Sequence, residues 1–289
     1  MLDDLTAAEL RILDAVDAEG SFSAAAARLG LTQSAVSHSV RGTERKVGAV
    51  LFDRGRHGAR PTAAGLSAIK HGRGVLRLMT VLQQDVRAAS GEQLTDRLRI
   101  AAFRSAAAQL LPPALTRLRA RHPQLAYDVS IVRDVGGGTA NEVVAGRADI
   151  AIVNLPHRLP AEAGLVGGTL LDEPYVLIHP SGHPDPRSLP VIDWTENCSA
   201  ATKDWFATQE WLPTATINVA DDSVLLSMVA HGLGMAVVPR STAADRPADV
   251  VLAELGADAP RRTVGYVAAP ELARSTAVRE LVRELRSLS

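Results

Sequence analysis

Between Ser21 and Arg41 the chain reads SFSAAAARLGLTQSAVSHSVR, two helix-forming runs joined across a single glycine. Ser23 is placed to N-cap the first run, and Ala24, Ala25, Ala26 and Ala27 are strong helix formers small enough for close packing. Gly30 supplies the left-handed residue that ends this helix, and Leu31 closes the turn. Thr32 is placed to cap the second run, with Ala35, Val36 and Val40 expected inside. Ser34, Ser37, His38 and Arg41 then project at i, i+3, i+4 and i+7, beside Gln33. This is a helix-turn-helix pattern. Its outer face fits a DNA major groove, where Gln and Arg make paired hydrogen bonds to adenine and guanine edges and Ser reaches bases or phosphates.

Two amphipathic helices about a glycine also occur in ordinary all-α domains, so the flanking sequence has to decide. Upstream, Thr6 and Glu9 have capping-box spacing before a helix with Leu10, Leu13 and Val16 on its apolar side. Downstream, VLFDRGRHGARPT (50–62) reads as two short strands around Gly55 to Gly58, a basic hairpin that sets Arg54 and Arg56 over a phosphate backbone. Charge follows the same division. From Met1 to Ala27, six acids (Asp3, Asp4, Glu9, Asp14, Asp17 and Glu19) face only Arg11. From Arg28 to Leu66, seven bases (Arg28, Arg41, Arg45, Lys46, Arg54, Arg56 and Arg60) oppose only Glu44 and Asp53. The whole chain carries a formal net charge of −1, which implies few phosphate contacts per subunit and a need for two subunits at physiological salt.

Residues 3–65, with SFSAAAARLGLTQSAVSHSVRGTERKVGAVLFDR followed by RPTAAG, resemble the N-terminal domain of the LysR-type transcriptional regulators. The chain departs from that pattern at Gly42 and Thr43, where the family more often has a charged residue and then leucine, and at Pro61 and Ala63. A helical glycine costs about 1 kcal/mol relative to alanine, so a looser far end of the second helix is expected. The resemblance implies that the polar positions Ser23, Thr32, Gln33, Ser34, Ser37, His38 and Arg41, with Arg54 and Arg56 of the wing, contact DNA.

From Ala64 to Ala89 the chain reads as one long helix, with Ile69, Leu76, Met79, Leu82 and Val86 recurring at coiled-coil-like steps interrupted by Gly72 and Gly74. Periodicity alone fits either a core helix or a pairing helix. The resemblance implies the linker helix through which two subunits pair. ASGEQ (89–93) is a hinge of small and polar residues. Beyond it strands alternate with helices: LRIAAF (98–103), a helix from Ala106 to Arg121 interrupted near Pro112 and Pro113, YDVSIVR (127–133), a helix from Thr139 to Ala145, and DIAIV (149–153). That βαβαβ order predicts a parallel sheet covered by helices. A second series begins near Gly167 with PYVLIHP, then Cys198 to Thr202, TINVA (216–220), a helix from Ser223 to His231 and MAVVP (235–239). RTVGYVAAP (262–270) and a helix from Ala273 to Leu288 close the chain.

With RADIAIV, HPSGHP and HGLGMAVVP as landmarks, the resemblance extends over nearly the whole chain and implies an α/β effector domain of two subdomains like those of periplasmic binding proteins. The expected division is a winged helix-turn-helix domain at 1–65, a linker helix for dimerisation at 66–89 and a hinge at 90–93. Subdomain I follows at 94–166 and 263–289, with subdomain II at 167–262. Ligands of open α/β sheets bind at strand carboxyl ends, and anions favour helix N-termini. That rule selects Arg104 and Ser105, Arg133, Asn154, Thr202 and Lys203, and Asp222 with Ser223, the loops that the resemblance also assigns to an effector cleft. Arg104, Arg133 and Lys203 point to a small anionic effector such as a carboxylate.

Catalytic readings find little support. The chain lacks GxSxG, HExxH and GxxxxGK[ST] motifs, and the glycine run at 136–138 has no following lysine. His179 and His183 share a Pro and Gly segment and read as exposed loop residues rather than metal ligands. One cysteine, Cys198, excludes an intrachain disulfide and reads as a small buried residue rather than a redox sensor. The acidic start and the lack of a long apolar run predict a cytoplasmic protein. The expected reading is therefore a DNA-binding regulator with no enzymatic activity, metal or cofactor. It would act as a homodimer or homotetramer on double-stranded operator DNA under a small-molecule effector, with RNA polymerase as a further partner. The alternatives are a plain small-molecule binding protein, disfavoured by the basic wing, and an architectural DNA-binding protein without effector control.

Overall fold

Three helices open the chain, each started by a side-chain cap and stopped by a left-handed glycine. Helix α1 (Ala7–Glu19) begins with a complete Thr6–Glu9 capping box and ends at Gly20, with φ 65°. Helix α2 (Phe22–Leu29) is capped by Ser21, whose hydroxyl accepts from Ala24 N at 3.1 Å, and ends at Gly30. The cap is thus Ser21 and not Ser23, which lies exposed inside the first turn. The chain enters α2 two residues earlier than the alanine run implies, because Phe22 packs against the core and edge-on to Phe52. Thr32 caps α3 (Gln33–Val47) through Ala35 N. Val36 and Val40 are fully buried, whereas Ala35, expected inside, is exposed. The helix continues past Gly42 to Gly48, and buried Thr43 donates its hydroxyl to Ser39 O.

The computed structural model describes residues 4–55, 58–90, 97–133, 138–155, 164–194 and 200–288. Strands β1 (Phe52–Gly55) and β2 (Gly58–Pro61) pair antiparallel as the wing. Ala59 N donates to Gly20 O, and a Cβ on Gly58 would collide with that same carbonyl, so the wing approaches the end of α1 only through a glycine. Helix α4 (Ala63–Ala89) runs through Gly72 and Gly74 without a break. Gly72 lies against the Leu10 side chain, which explains the missing side chain there. Arg73 fastens α4 to α1 by ion pairs to Asp14 at 2.6 Å and Asp17 at 2.8 Å. Of the expected seam only Ile69 enters the core; Met79, Leu82 and Val86 are exposed, as are Val75 and Leu78.

The chain divides into two units, Met1–Glu92 and Gln93–Ser289. The second is built on a seven-stranded sheet. Strand β3 (Arg97–Ala102) lies parallel to β4 (Ala126–Ile131) on one side and β5 (Ile150–Leu155) on the other, the expected βαβαβ arrangement. Between β3 and β4 the helix breaks at Leu110 into α5 (Arg104–Gln109) and α6 (Leu111–Arg121). Pro112 and Pro113 open α6, where a missing backbone N–H costs nothing, rather than interrupting it. Helix α7 (Gly138–Val144) precedes β5 and is tied to it by the buried Thr139 hydroxyl on Ile152 O.

Strand β6 (Val166–Pro180) is longer than PYVLIHP alone implies and joins the two parts of the sheet. Its first half pairs with β11 (Arg261–Ala268), and its second half lies between β9 (Ala236–Pro239) and β10 (Val250–Glu254). His179 sits on this second half, buried and hydrogen-bonded to Pro180 O, contrary to the expectation of an exposed loop residue. Strands β7 (Ile192–Trp194) and β8 (Ile217–Val219) form a separate parallel pair. Helix α8 (Ala200–Thr208) falls between them, and α9 (Asp222–Ala230) follows. Cys198 and the glycines at 136 and 137 lie outside the described residues. Strand β11 is antiparallel to β5, so the returning strand departs from the parallel order, and α10 (Thr276–Arg286) packs on α6. No described helix is long and apolar enough to cross a membrane.

Candidate DNA interface and effector cleft

On α3, burial of Val36, Val40 and Thr43 forces the opposite face outward. Gln33, Ser34, His38 and Arg41 are exposed and Ser37 is half-buried. Thr32 is already engaged: its hydroxyl caps Ala35 N and lies 3.0 Å from the Ser34 hydroxyl. His38, Arg41 and Arg45, with Glu44 and Val50, border an open depression of about 610 Å³. Arg45 enters the sequence reading only as part of the basic charge of this region; its place one turn beyond Arg41 is the signal that makes it a candidate for the same face. The Glu44 carboxylate turns back to accept from Leu51 N at 2.9 Å, leaving the guanidiniums to dominate the rim. In the wing, β1 and β2 hold the backbone of Arg54, whereas its side chain and all of Arg56 lie outside the described residues.

The second unit gathers charge differently. Arg262, on β11, is almost wholly buried and donates to Glu173 of β6 at 2.9 and 2.6 Å. The same guanidinium donates to the hydroxyls of Ser105 and Ser241 and lies over the Phe103 ring, 5.0 Å from its centroid. Ser241 closes the network by donating its N–H and hydroxyl to Glu173. Beside it Arg104, in the first turn of α5, pairs with Asp221, which also caps α9 through Ser223 N and Val224 N. Arg104, selected from the sequence as a cation for an anionic effector, thus already has a carboxylate partner within the protein.

Asp222 is buried in the first turn of α9, and among the described residues its Oδ1 has no hydrogen-bond partner. Burial pushes its carboxyl above the ordinary value, opposed by the charges of Arg104 and Arg262. The Trp194 indole N–H is near enough to ease the carboxylate but closes no hydrogen bond among the described residues. Residues from β3–α5, β6, β7, α9 and β11 thus converge on one charged cluster within the second unit.

Of the sequence-selected residues, Arg104, Ser105 and Asp222 belong to this cluster. Ser223 is exposed beside it, with its hydroxyl on the Asp221 cap. Arg133 is exposed beyond β4, Asn154 is half-buried on β5, and Thr202 is fully buried in α8. The Lys203 side chain lies outside the described residues. Sequence reasoning misses Glu173, Arg262, Ser241, Asp221 and Trp194. The available signal is an arginine and a glutamate within strand-forming runs, since buried charges of opposite sign require one another. Among the described residues no three His, Cys, Asp or Glu side chains gather as a metal site.

A winged helix-turn-helix joined to a two-subdomain α/β binding domain defines a class: transcriptional regulators governed by small molecules. Residues 7–66 match the bacterial regulatory helix-turn-helix proteins of the lysR family, and residues 91–289 match the LysR substrate binding domain. The chain belongs to the LysR family of transcriptional regulators, whose members are regulators and not enzymes. It is 35% identical over 252 residues to the probable HTH-type transcriptional regulator LrrA of Synechococcus elongatus, spanning 84% of this chain and 83% of that protein. Full-length OxyR of Pseudomonas aeruginosa shares the fold with a TM-score of 0.76 at 23% identity, covering 99% of this chain and 97% of that one. LysG of Corynebacterium glutamicum, solved full-length with bound effector Arg, does so with a TM-score of 0.68 at 20% identity, covering 98% of each.

Proposed function

We propose that α3 enters the major groove of an operator while the wing lies along the backbone. Gln33, Ser34, Ser37, His38 and Arg41 then read bases, and Ser23, Thr32, Arg54 and Arg56 position the domain on phosphates. The observation that carries this is the division of α3 into a sealed apolar face and an exposed face of short polar and basic groups. Two copies pair through the exposed stripe Val75, Leu78, Met79, Leu82 and Val86 of α4, giving a homodimer or a homotetramer whose heads are spaced for two half-sites. The functional divisions are 1–65, 66–89, 90–93, 94–166 with 263–289, and 167–262. A small molecule between the last two shifts the balance of their arrangements. That shift changes how the heads meet DNA and how the complex meets RNA polymerase.

The test is footprinting and gel shift on the DNA upstream of the protein's own gene, with and without metabolites. A protected, palindrome-related site whose occupancy a metabolite changes is the expected result. Protection indifferent to every metabolite identifies an architectural protein instead, and no site-specific protection ends the reading.

A further inference from the structure

We propose that the cleft recognises its effector through a protonated amine held by the Asp222 carboxylate, with the Trp194 indole N–H directed at an acceptor on the same molecule. This rests on the reading of the cleft as an effector site and adds the chemistry of the ligand. Within the cluster of described residues, the two guanidiniums of Arg104 and Arg262 face the three carboxylates of Glu173, Asp221 and Asp222. Arg262 is committed to Glu173, Ser105 and Ser241, and Arg104 to Asp221. An anion entering here must displace Asp221 and join a cluster in which carboxylates already outnumber guanidiniums.

Asp222 is the acid left over. It is more than nine-tenths buried, and among the described residues its Oδ1 accepts nothing. The indole N–H of Trp194, itself almost fully buried, likewise donates to nothing among them. The indole N–H eases the Asp222 carboxylate without closing a hydrogen bond to it, and a ligand carrying both a donor and an acceptor completes both groups in a desolvated place. Because the acceptor is a carboxylate, the strongest complement is a charged N–H donor. Amino acids and polyamines supply that group; nitrogen-free carboxylates do not.

The experiment is calorimetric titration and thermal shift of the full-length protein. The ligands are the common L-α-amino acids, primary polyamines, and nitrogen-free mono- and dicarboxylates of matching chain length. At least one amine is expected to bind, and Asp222→Asn is expected to weaken it at least tenfold. On the unmodified protein, affinity for that amine should climb as pH rises through the raised Asp222 titration, because ammonium binds the ionised carboxylate. Burial raises that titration, opposed by Arg104 on α5, Arg262 on β11 and Trp194 on β7, and the remaining charged neighbour is Asp221, itself paired with Arg104. This arm needs no variant to fold. Binding confined to nitrogen-free carboxylates and abolished by Arg104→Ala overturns the amine while leaving the cleft reading intact. Amine binding indifferent to both Asp222→Asn and Arg104→Ala overturns both. Absence of binding by every amine also overturns the proposal, with the operator assay still deciding the cleft reading.

Discussion

Helices α3 and α9 both begin at a capped first turn, yet the two turns are opposites. After Thr32, α3 presents exposed Gln33 and Ser34; after Asp221, α9 turns Asp222 into a buried cluster. A DNA-reading helix works on a molecule that arrives from outside, so most of its polar face stays exposed to solvent. In the second unit the clustered charges are buried or half-buried and mostly committed to one another across elements distant in sequence. On the proposed function, changes to the first surface alter DNA affinity with little bearing on folding, whereas changes to the second alter ligand recognition and stability together.

The largest effect that tests this contrast lies at Arg262 and Glu173. Replacing Glu173 by Ala leaves a buried guanidinium without its carboxylate, and breaking such a pair costs about 3–5 kcal/mol. Urea unfolding should show the loss in the second unit, with the first unit's transition unmoved. Because the pair carries its own desolvation cost, the double replacement Glu173→Leu with Arg262→Met should recover much of the loss. A single-variant loss below about 1 kcal/mol would remove the buried pair from the comparison.

The exposed face predicts a smaller effect of another kind. Gln33→Ala and Arg41→Ala should each cost about 1–3 kcal/mol of specific operator binding while leaving thermal unfolding and random-DNA binding almost unchanged. Arg56→Ala should lower affinity for all sequences and reduce the salt slope by about one. Equal losses on operator and random DNA for all three variants would erase the proposed division between reading and positioning.

These two regions are unequally legible in the sequence, for a physical reason. Thr6, Gly20, Gly30, Thr32 and Gly48 act on their own neighbours within one turn, so helix boundaries in the first unit follow from local spacing. The charged cluster of the second unit depends on partners such as Arg262 and Glu173, 89 positions apart, and Gln109 and Asp245 show the same long reach at 136. No periodicity encodes such pairings. Local reasoning therefore finds Arg104 but not its partner: its place after β3 is a local fact, whereas its pairing with Asp221 is a tertiary one. The strands β7 and β10 escape such reasoning because each is short and takes its register from a neighbour far along the chain.

Even local legibility has a resolution, and the cap of α2 measures it. Ser21 and Ser23 both precede alanines, but only the Ser21 hydroxyl accepts from a backbone N–H, that of Ala24. Ser21→Ala should cost the first unit about 1 kcal/mol, and Ser23→Ala no more than roughly a few tenths. Chemical denaturation of the two variants separates them, and the reverse order would put the helix start back at Ser23.

The smallest effect falls at Gly42, where the recognition helix departs from its family's pattern. A Cβ built there meets no atom within 4 Å, so alanine fits without displacement. The helix already continues five residues beyond it, held by the buried Thr43 and Val40 and capped at Gly48. Gly42→Ala should therefore stabilise the first unit by roughly 0.4–1 kcal/mol, chiefly by restricting the unfolded chain, and raise its melting temperature by a few degrees. Operator affinity should change less than about twofold, because Arg41 and Arg45 already sit on a formed helix. A fall in stability, or a loss of operator binding with stability gained, would show that the groove-facing helix needs the pliability of glycine, and that the first unit, like the second, gives up stability for its function.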